Sequence, residues 1–117
     1  MFFSTMMPIR LIPAAICVTS LGLTAPVLAE QAEQVQLSYS NGAFQPGEVR
    51  ASADKPVVFR IKNLDVKPME FESKSLRVEK VVAAKSEGVI NVRPLKAGRY
   101  EFYDDFNERA RGTLNVQ

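Results

Sequence analysis

The chain has 117 residues, with 15 Lys and Arg against 13 Asp and Glu, a single Cys, no His and no Trp. This length allows one domain. The lack of His excludes Ser-His-Asp catalysis and every imidazole metal site. A net charge of +2 without a basic cluster gives little of the phosphate neutralisation that dominates nucleic-acid affinity, so no nucleic acid is expected as a partner.

The first stretch of the chain is typical of a secretory leader. Arg10 is the only charged residue before Glu30, and an apolar segment follows it from Leu11 to Leu23. Val27-Leu28-Ala29 are small enough for a cleavage site. We predict a cleaved signal peptide over residues 1–29 and a periplasmic domain over residues 30–117.

A retained membrane anchor is the alternative for this leader. It is disfavoured because Pro13 and Pro26 bracket an apolar segment shorter than the roughly 20 residues that cross a bilayer, so the mature form is not expected to span a membrane. Cleavage removes Cys17, the only cysteine, and leaves Met69 as the only methionine. The mature chain then offers neither a thiolate nor an imidazole to a metal.

Apolar and polar residues alternate with a period of two through the mature chain, which is typical of half-buried strands. Turn signals such as Asn41-Gly42 and Pro46-Gly47 separate these stretches. In chain order the pattern predicts eight strands, over residues 34–39, 48–51, 57–63, 69–73, 77–82, 88–93, 99–104 and 112–116. Short strands at this spacing predict an all-β fold, a Greek-key β-sandwich. Its predicted core contains Val57, Phe59, Ile61, Phe71, Tyr100, Phe102 and Leu114.

Five stretches occur in the order found in cupredoxins. They are FQPGEV at 44–49, KPVVFRIKN at 55–63, PMEF at 68–71, KAGRYEFY at 96–103 and RGTLNV at 111–116. Through these stretches nearly the whole mature chain resembles cupredoxins, and the resemblance implies a cupredoxin-like sandwich.

The metal-binding positions of that family are replaced here. Met69 stands where the first His ligand is expected, Asp104 stands where the Cys is expected, and Glu108 lies near the position of the second His. Because blue copper requires a thiolate and two imidazoles, the composition excludes a blue-copper electron carrier.

The sequence most resembles the small periplasmic cupredoxin-like protein of bacterial ferrous-iron transport systems. It also resembles the cupredoxin-like domain in the periplasmic component of elemental-ferrous-iron uptake. The resemblance implies that the protein binds or oxidises Fe(II), with copper as a further candidate ion. It also implies an iron permease and a periplasmic high-affinity iron-binding protein as partners.

Strand parity places two candidate ligands together. If Phe71 and Phe102 point into the core, Met69 and Asp104 share their face, and both lie at strand ends. An inward carboxylate needs a metal, a hydrogen-bond donor or a basic partner. The alternative for Met69 is a methionine that fills a gap in the core. If Asp104 is a metal ligand in the place of the thiolate, Asp104→Ala should abolish metal binding and leave the fold nearly intact, because removing a rim carboxylate creates no core cavity.

Further carboxylates lie close by in sequence. Glu70 and Glu72 share the opposite face of their strand, where they are either oxygen ligands for iron or part of a solvated surface. Asp105 and Glu108 join Asp104 in one acidic loop. This loop either holds a cation or is neutralised by nearby basic residues, Arg109 and Arg111.

Three functions remain open from these residues. The first is metal handling for ferrous-iron uptake, with Met69, Glu70, Glu72, Asp104, Asp105 and Glu108 as candidate ligands. The second is a metal-free interaction module of the cell envelope that keeps the sandwich and uses its altered rim. Copper chaperoning ranks last, because one Met falls short of the several thioethers such sites collect.

Overall fold

The computed structural model describes residues 31–117, together with residues 14, 15 and 22. The predicted cleavage site lies outside the described residues, as does nearly all of the predicted leader. Within the described part the chain forms nine strands. None of the described residues belongs to a helix long and apolar enough to cross a membrane.

The strands form two mixed sheets. In chain order they are β1 Glu33–Ser40, β2 Ala43–Gln45, β3 Glu48–Ala51, β4 Val57–Asn63, β5 Met69–Ser73, β6 Val78–Val82, β7 Glu87–Val92, β8 Gly98–Asp104 and β9 Asn107–Val116. The four-stranded sheet has the order β2-β1-β4-β7, and the five-stranded sheet has the order β3-β9-β8-β5-β6. The β1–β4 and β3–β9 pairs are parallel, and the other pairs are antiparallel. The predicted all-β sandwich is confirmed.

Two features of the strands differ from the predicted pattern. The short strand β2 was not predicted, since three residues are too few to show a period of two. Strand β9 begins at Asn107 rather than at residue 112, and its register with β8 shifts between Tyr103 and Asp104. That irregularity leaves three exposed residues in succession before Ala110 and hides the alternation.

Aromatic rings fill the space between the two sheets. Phe44 packs edge-on against Phe102 with ring centroids 5.0 Å apart, and Phe59 lies 5.5 Å from Phe71. Six of the seven predicted core residues are buried, while Tyr100 is half-buried and packs against their cluster. Its hydroxyl donates to the carbonyl of Lys96, which explains why this ring stays at the margin.

Asn63 holds the loop that leads from β4 to β5. Its fully buried side chain donates from Nδ2 to the carbonyls of Lys67 and Val82 at 2.8 and 3.2 Å, and its Oδ1 accepts from the N–H of Asp65 at 3.0 Å. One amide therefore connects the end of β4, the loop and the end of β6. This fixes the point at which β5 begins, with Met69.

Candidate functional site

Asp104 ends strand β8 with its side chain between the two sheets. It is 2% exposed. Its Oδ2 accepts from the hydroxyl of Tyr39 at 2.5 Å, and its Oδ1 accepts from the N–H groups of Glu70 and Phe106 at 2.9 and 3.0 Å. Neutral donors thus stabilise the buried carboxylate, so the requirement for a compensating group is met within the protein.

Tyr39 is the donor that reaches Asp104 from the opposite sheet. Burial raises the pKa of its hydroxyl, and the hydrogen bond to Asp104 and the charge of that carboxylate raise the pKa further. The phenol therefore stays protonated over the ordinary pH range and remains a donor. The contact joins β1 of the four-stranded sheet to β8 of the five-stranded sheet.

Met69 lies at the same end of the sandwich as Asp104. The residue after it, Glu70, gives its N–H to the Asp104 carboxylate. The Met69 side chain is fully buried within the hydrophobic core. In this structure it fills core space, as methionine commonly does, while its role as a metal ligand stays a prediction.

Three carboxylates meet on the outer face of the five-stranded sheet. Glu72 on β5 stands directly opposite Glu79 on β6, and Glu70 is one pleat away on β5. One carboxylate oxygen from each of the three lies within 4.8 Å of the others. We call Glu70, Glu72 and Glu79 the carboxylate cluster. Glu70 is only 8% exposed, and no N–H or hydroxyl group of the described residues donates to its carboxylate.

Two members of the carboxylate cluster have raised pKa values. The hydrogen bond with Glu79 raises the pKa of Glu70 to about 7, with burial and the charges of Glu79, Asp105 and Glu72 acting in the same direction. Burial raises the pKa of Glu72, and the charge of Asp105 adds to this effect. Each carboxylate disfavours ionisation of its neighbours. A bound proton or a bound cation therefore stabilises the cluster.

The structure divides the predicted site residues into three groups. Met69 and Asp104 lie inside the sandwich, Glu70 and Glu72 lie outside it with Asp105 near Glu72, and Glu108 is exposed on β9. Among the described residues, neither Arg109 nor Arg111 forms an ion pair with the acidic loop; the Arg111 guanidinium lies 5.2 Å from the centre of the Tyr103 ring.

Glu79 is the member of the cluster that sequence reasoning missed. It occupies an exposed position of β6, where a glutamate carries no signal of its own. Only the register that places it opposite Glu72 joins it to the other two acids. A hairpin pairing of β5 with β6 across the turn at residues 74–77 is the signal that would have found it.

Most of the chain matches a known protein family. The sequence matches the cupredoxin-like domain family over residues 11–116. The chain belongs to the cupredoxin-like domain family. An uncharacterized protein of Rickettsia prowazekii (strain Madrid E) is 32% identical over 84 residues, which are 71% of this chain and 67% of that protein.

Solved structures agree with this cupredoxin-like fold. The metal-binding domain of the Cu(I)-exporting P-type ATPase CopA of Streptococcus pneumoniae D39, with Cu(I), superposes with a TM-score of 0.65 at 16% identity, covering 72% of this chain and 84% of that chain. The blue copper protein auracyanin A of Chloroflexus aurantiacus gives 0.63 at 14%, covering 74% and 100%. Amicyanin of Paracoccus versutus gives 0.57 at 16%, covering 74% and 84%. At these identities the likeness establishes the fold alone.

A blue-copper centre does not fit the residues of this cupredoxin-like chain. Asp104, which stands where the family resemblance leads one to expect the Cys, has both oxygens already accepting hydrogen bonds from the protein. The sequence contains no His. The donor set therefore lacks both kinds of ligand that such a centre needs.

Proposed function

We propose that this protein is a cupredoxin-like component of a bacterial ferrous-iron uptake system, located in the periplasm. In this proposal it binds Fe(II) through carboxylate oxygens and delivers it to an iron permease, together with a periplasmic high-affinity iron-binding protein. The family membership supports a metal-binding type of fold. The resemblance of the sequence motifs to iron-transport members supports the choice of cargo and partners.

One observation carries the proposal. Glu70 is nine-tenths buried, receives no hydrogen bond from an N–H or hydroxyl group of the described residues, and has its carboxylate beside those of Glu72 and Glu79. Three carboxylates form a set of hard oxygen ligands, which suit Fe(II) and Mn(II) better than Cu(I). Asp104 is outside this set, because its oxygens accept three hydrogen bonds within the protein. We therefore place the ion at the carboxylate cluster.

Calorimetric titration tests the proposal with three ions separately: anaerobic Fe(II), Mn(II) and Cu(II). Fe(II) and Mn(II) should bind the wild-type chain at one site, and Glu72→Gln/Glu79→Gln should abolish that binding because it removes two of the three charged ligands. Glu108→Gln is the matched control, since Glu108 is exposed and outside the carboxylate cluster. Equal binding by wild type and the double variant would place the ion elsewhere.

The metal-free interaction module stays as the second candidate because of the apolar residues near Asp104. Val66 and Phe106 are 78% and 56% exposed, and both line the groove that also contains Tyr39 and Asp104. Photo-crosslinking in cells from position 106, with the exposed edge position Val89 as control, measures whether this rim contacts another protein. A specific adduct at 106 combined with no heat from any of the three ions would favour the module over metal binding.

A further inference from the structure

The outer face of the five-stranded sheet also contains a cavity of about 580 Å³. It lies beside the carboxylate cluster and shares none of its residues. We call it the outer cavity, and it is lined by Lys74, Ser75, Arg99, Glu101, Tyr103, Glu108 and Arg111. Its volume is within the range of sites that hold small molecules.

Three cationic side chains of the outer cavity have no carboxylate partner within residues 31–117. Among the described residues the ion pairs are Arg60–Glu87 and Lys96–Asp54, and both lie elsewhere. Lys74, Arg99 and Arg111 therefore reach no carboxylate oxygen of the described residues within 4.0 Å. Arg99 uses one nitrogen for a long bond of 3.4 Å to the hydroxyl of Thr113, which leaves most of its donors free.

Tyr103 fixes the orientation of one of these cations. The guanidinium carbon of Arg111 lies 5.2 Å from the centre of the Tyr103 ring, and the two residues stand opposite each other on β9 and β8. Stacking on a ring engages the face of the guanidinium and leaves its N–H edges available. Those edges form the planar fork that matches carboxylate and phosphate oxygens.

Glu101 and Glu108 also line the outer cavity. Their carboxylates restrict the chemical groups that a ligand of this cavity can carry. They oppose a purely anionic ligand, although the three cations outnumber them. A hydroxyl group on the ligand would give each carboxylate a donor. We propose that the outer cavity binds a small hydroxylated anion whose carboxylate or phosphate oxygens contact Arg99, Arg111 and Lys74. This inference goes beyond the proposed function and does not depend on it.

Isothermal titration of the full chain tests the inference, with citrate in one arm and glycerol 3-phosphate in the other. Arg99→Gln and Arg111→Gln should each weaken binding about tenfold or more, the loss expected for a charge-assisted hydrogen bond. Arg50→Gln is the matched control, because Arg50 is an exposed cation on β3 of the same sheet and outside the cavity. The arm that binds identifies the preferred anion. Affinity within about twofold of wild type in both cavity variants, or no binding in either arm, overturns the inference.

A parallel Mn(II) titration separates this inference from the proposed function. Arg99→Gln should bind Mn(II) as wild type does, since Arg99 is not in the carboxylate cluster. If the wild type binds the anion but does not bind Mn(II), the proposed function is refuted and the inference about the outer cavity is supported. Thermal melts of each variant distinguish a lost contact from a lost fold, and Arg99→Gln remains decisive if Arg111→Gln melts early.

Discussion

Replacing Asp104 by Ala should cost much more stability than a rim position would suggest. The substitution leaves the Tyr39 hydroxyl and the N–H groups of Glu70 and Phe106 without their acceptor, in a place that is 2% exposed. The Tyr39 hydroxyl and the Glu70 N–H are buried and each cost about 1–3 kcal/mol when left unsatisfied, while the N–H of Phe106 is only partly buried. The free energy of unfolding should therefore fall by about 3–5 kcal/mol. For a domain of this size the melting temperature should fall by more than about 12 °C.

Urea denaturation measures this loss, followed by far-ultraviolet circular dichroism because the chain has no Trp. Asp104→Asn keeps an oxygen for the two N–H donors and should lose about 1–2 kcal/mol. Asp105→Ala is the control in the same loop, where the exposed side chain should matter by less than about 0.5 kcal/mol. If Asp104→Ala unfolds at the same urea concentration as Asp105→Ala, these hydrogen bonds do not stabilise the fold and the reasoning is wrong.

The other predictions concern the core, the loop and the carboxylate cluster. Gly112→Ala should lower the midpoint of urea unfolding, because its methyl group would overlap the ring of Phe102 at a cost of about 1–3 kcal/mol; an unchanged midpoint contradicts the packing. Asn63→Ala should lower the free energy of unfolding by about 2–4 kcal/mol, whereas the exposed Lys62→Ala should not. Because the pKa of Glu70 is raised to about 7, the free energy of unfolding of the metal-free protein should fall as the pH rises from about 4.5 through 7. Glu70→Gln should reduce the slope of the free energy of unfolding against pH, and equal slopes in the variant and the wild type would refute this assignment.

The sequence was sufficient for most of the fold because each strand follows from local alternation. The eight predicted strands all occur, and Phe59, Phe71 and Phe102 are buried where their parity placed them. What failed was local as well: β2 is too short to show a period, and the start of β9 is obscured by the irregular register after Tyr103. At both places the alternation of apolar and polar residues is missing, so the sequence contains no strand signal there.

The candidate site was less predictable, because it depends on which strands become neighbours. Parity indicated that Asp104 points inward, but its donor Tyr39 is 65 residues away along the chain and belongs to the other sheet. Glu79 likewise joins Glu72 only through the pairing of β5 with β6. Long-range register is a property of the whole sandwich, so single-strand patterns identify a buried acid without identifying its partners.

The position of β9 has a consequence for how the domain is made. This strand, the ninth of those in the described residues, lies inside the five-stranded sheet between β3 and β8, and it pairs residues 48–51 with residues 113–116. Strands β3 and β8 therefore each keep an unpaired edge until β9 has docked between them. Folding dominated by such distant pairings is slow, and unpaired edges invite aggregation. Docking of β9, rather than early local structure, should set the time at which this domain acquires its native state.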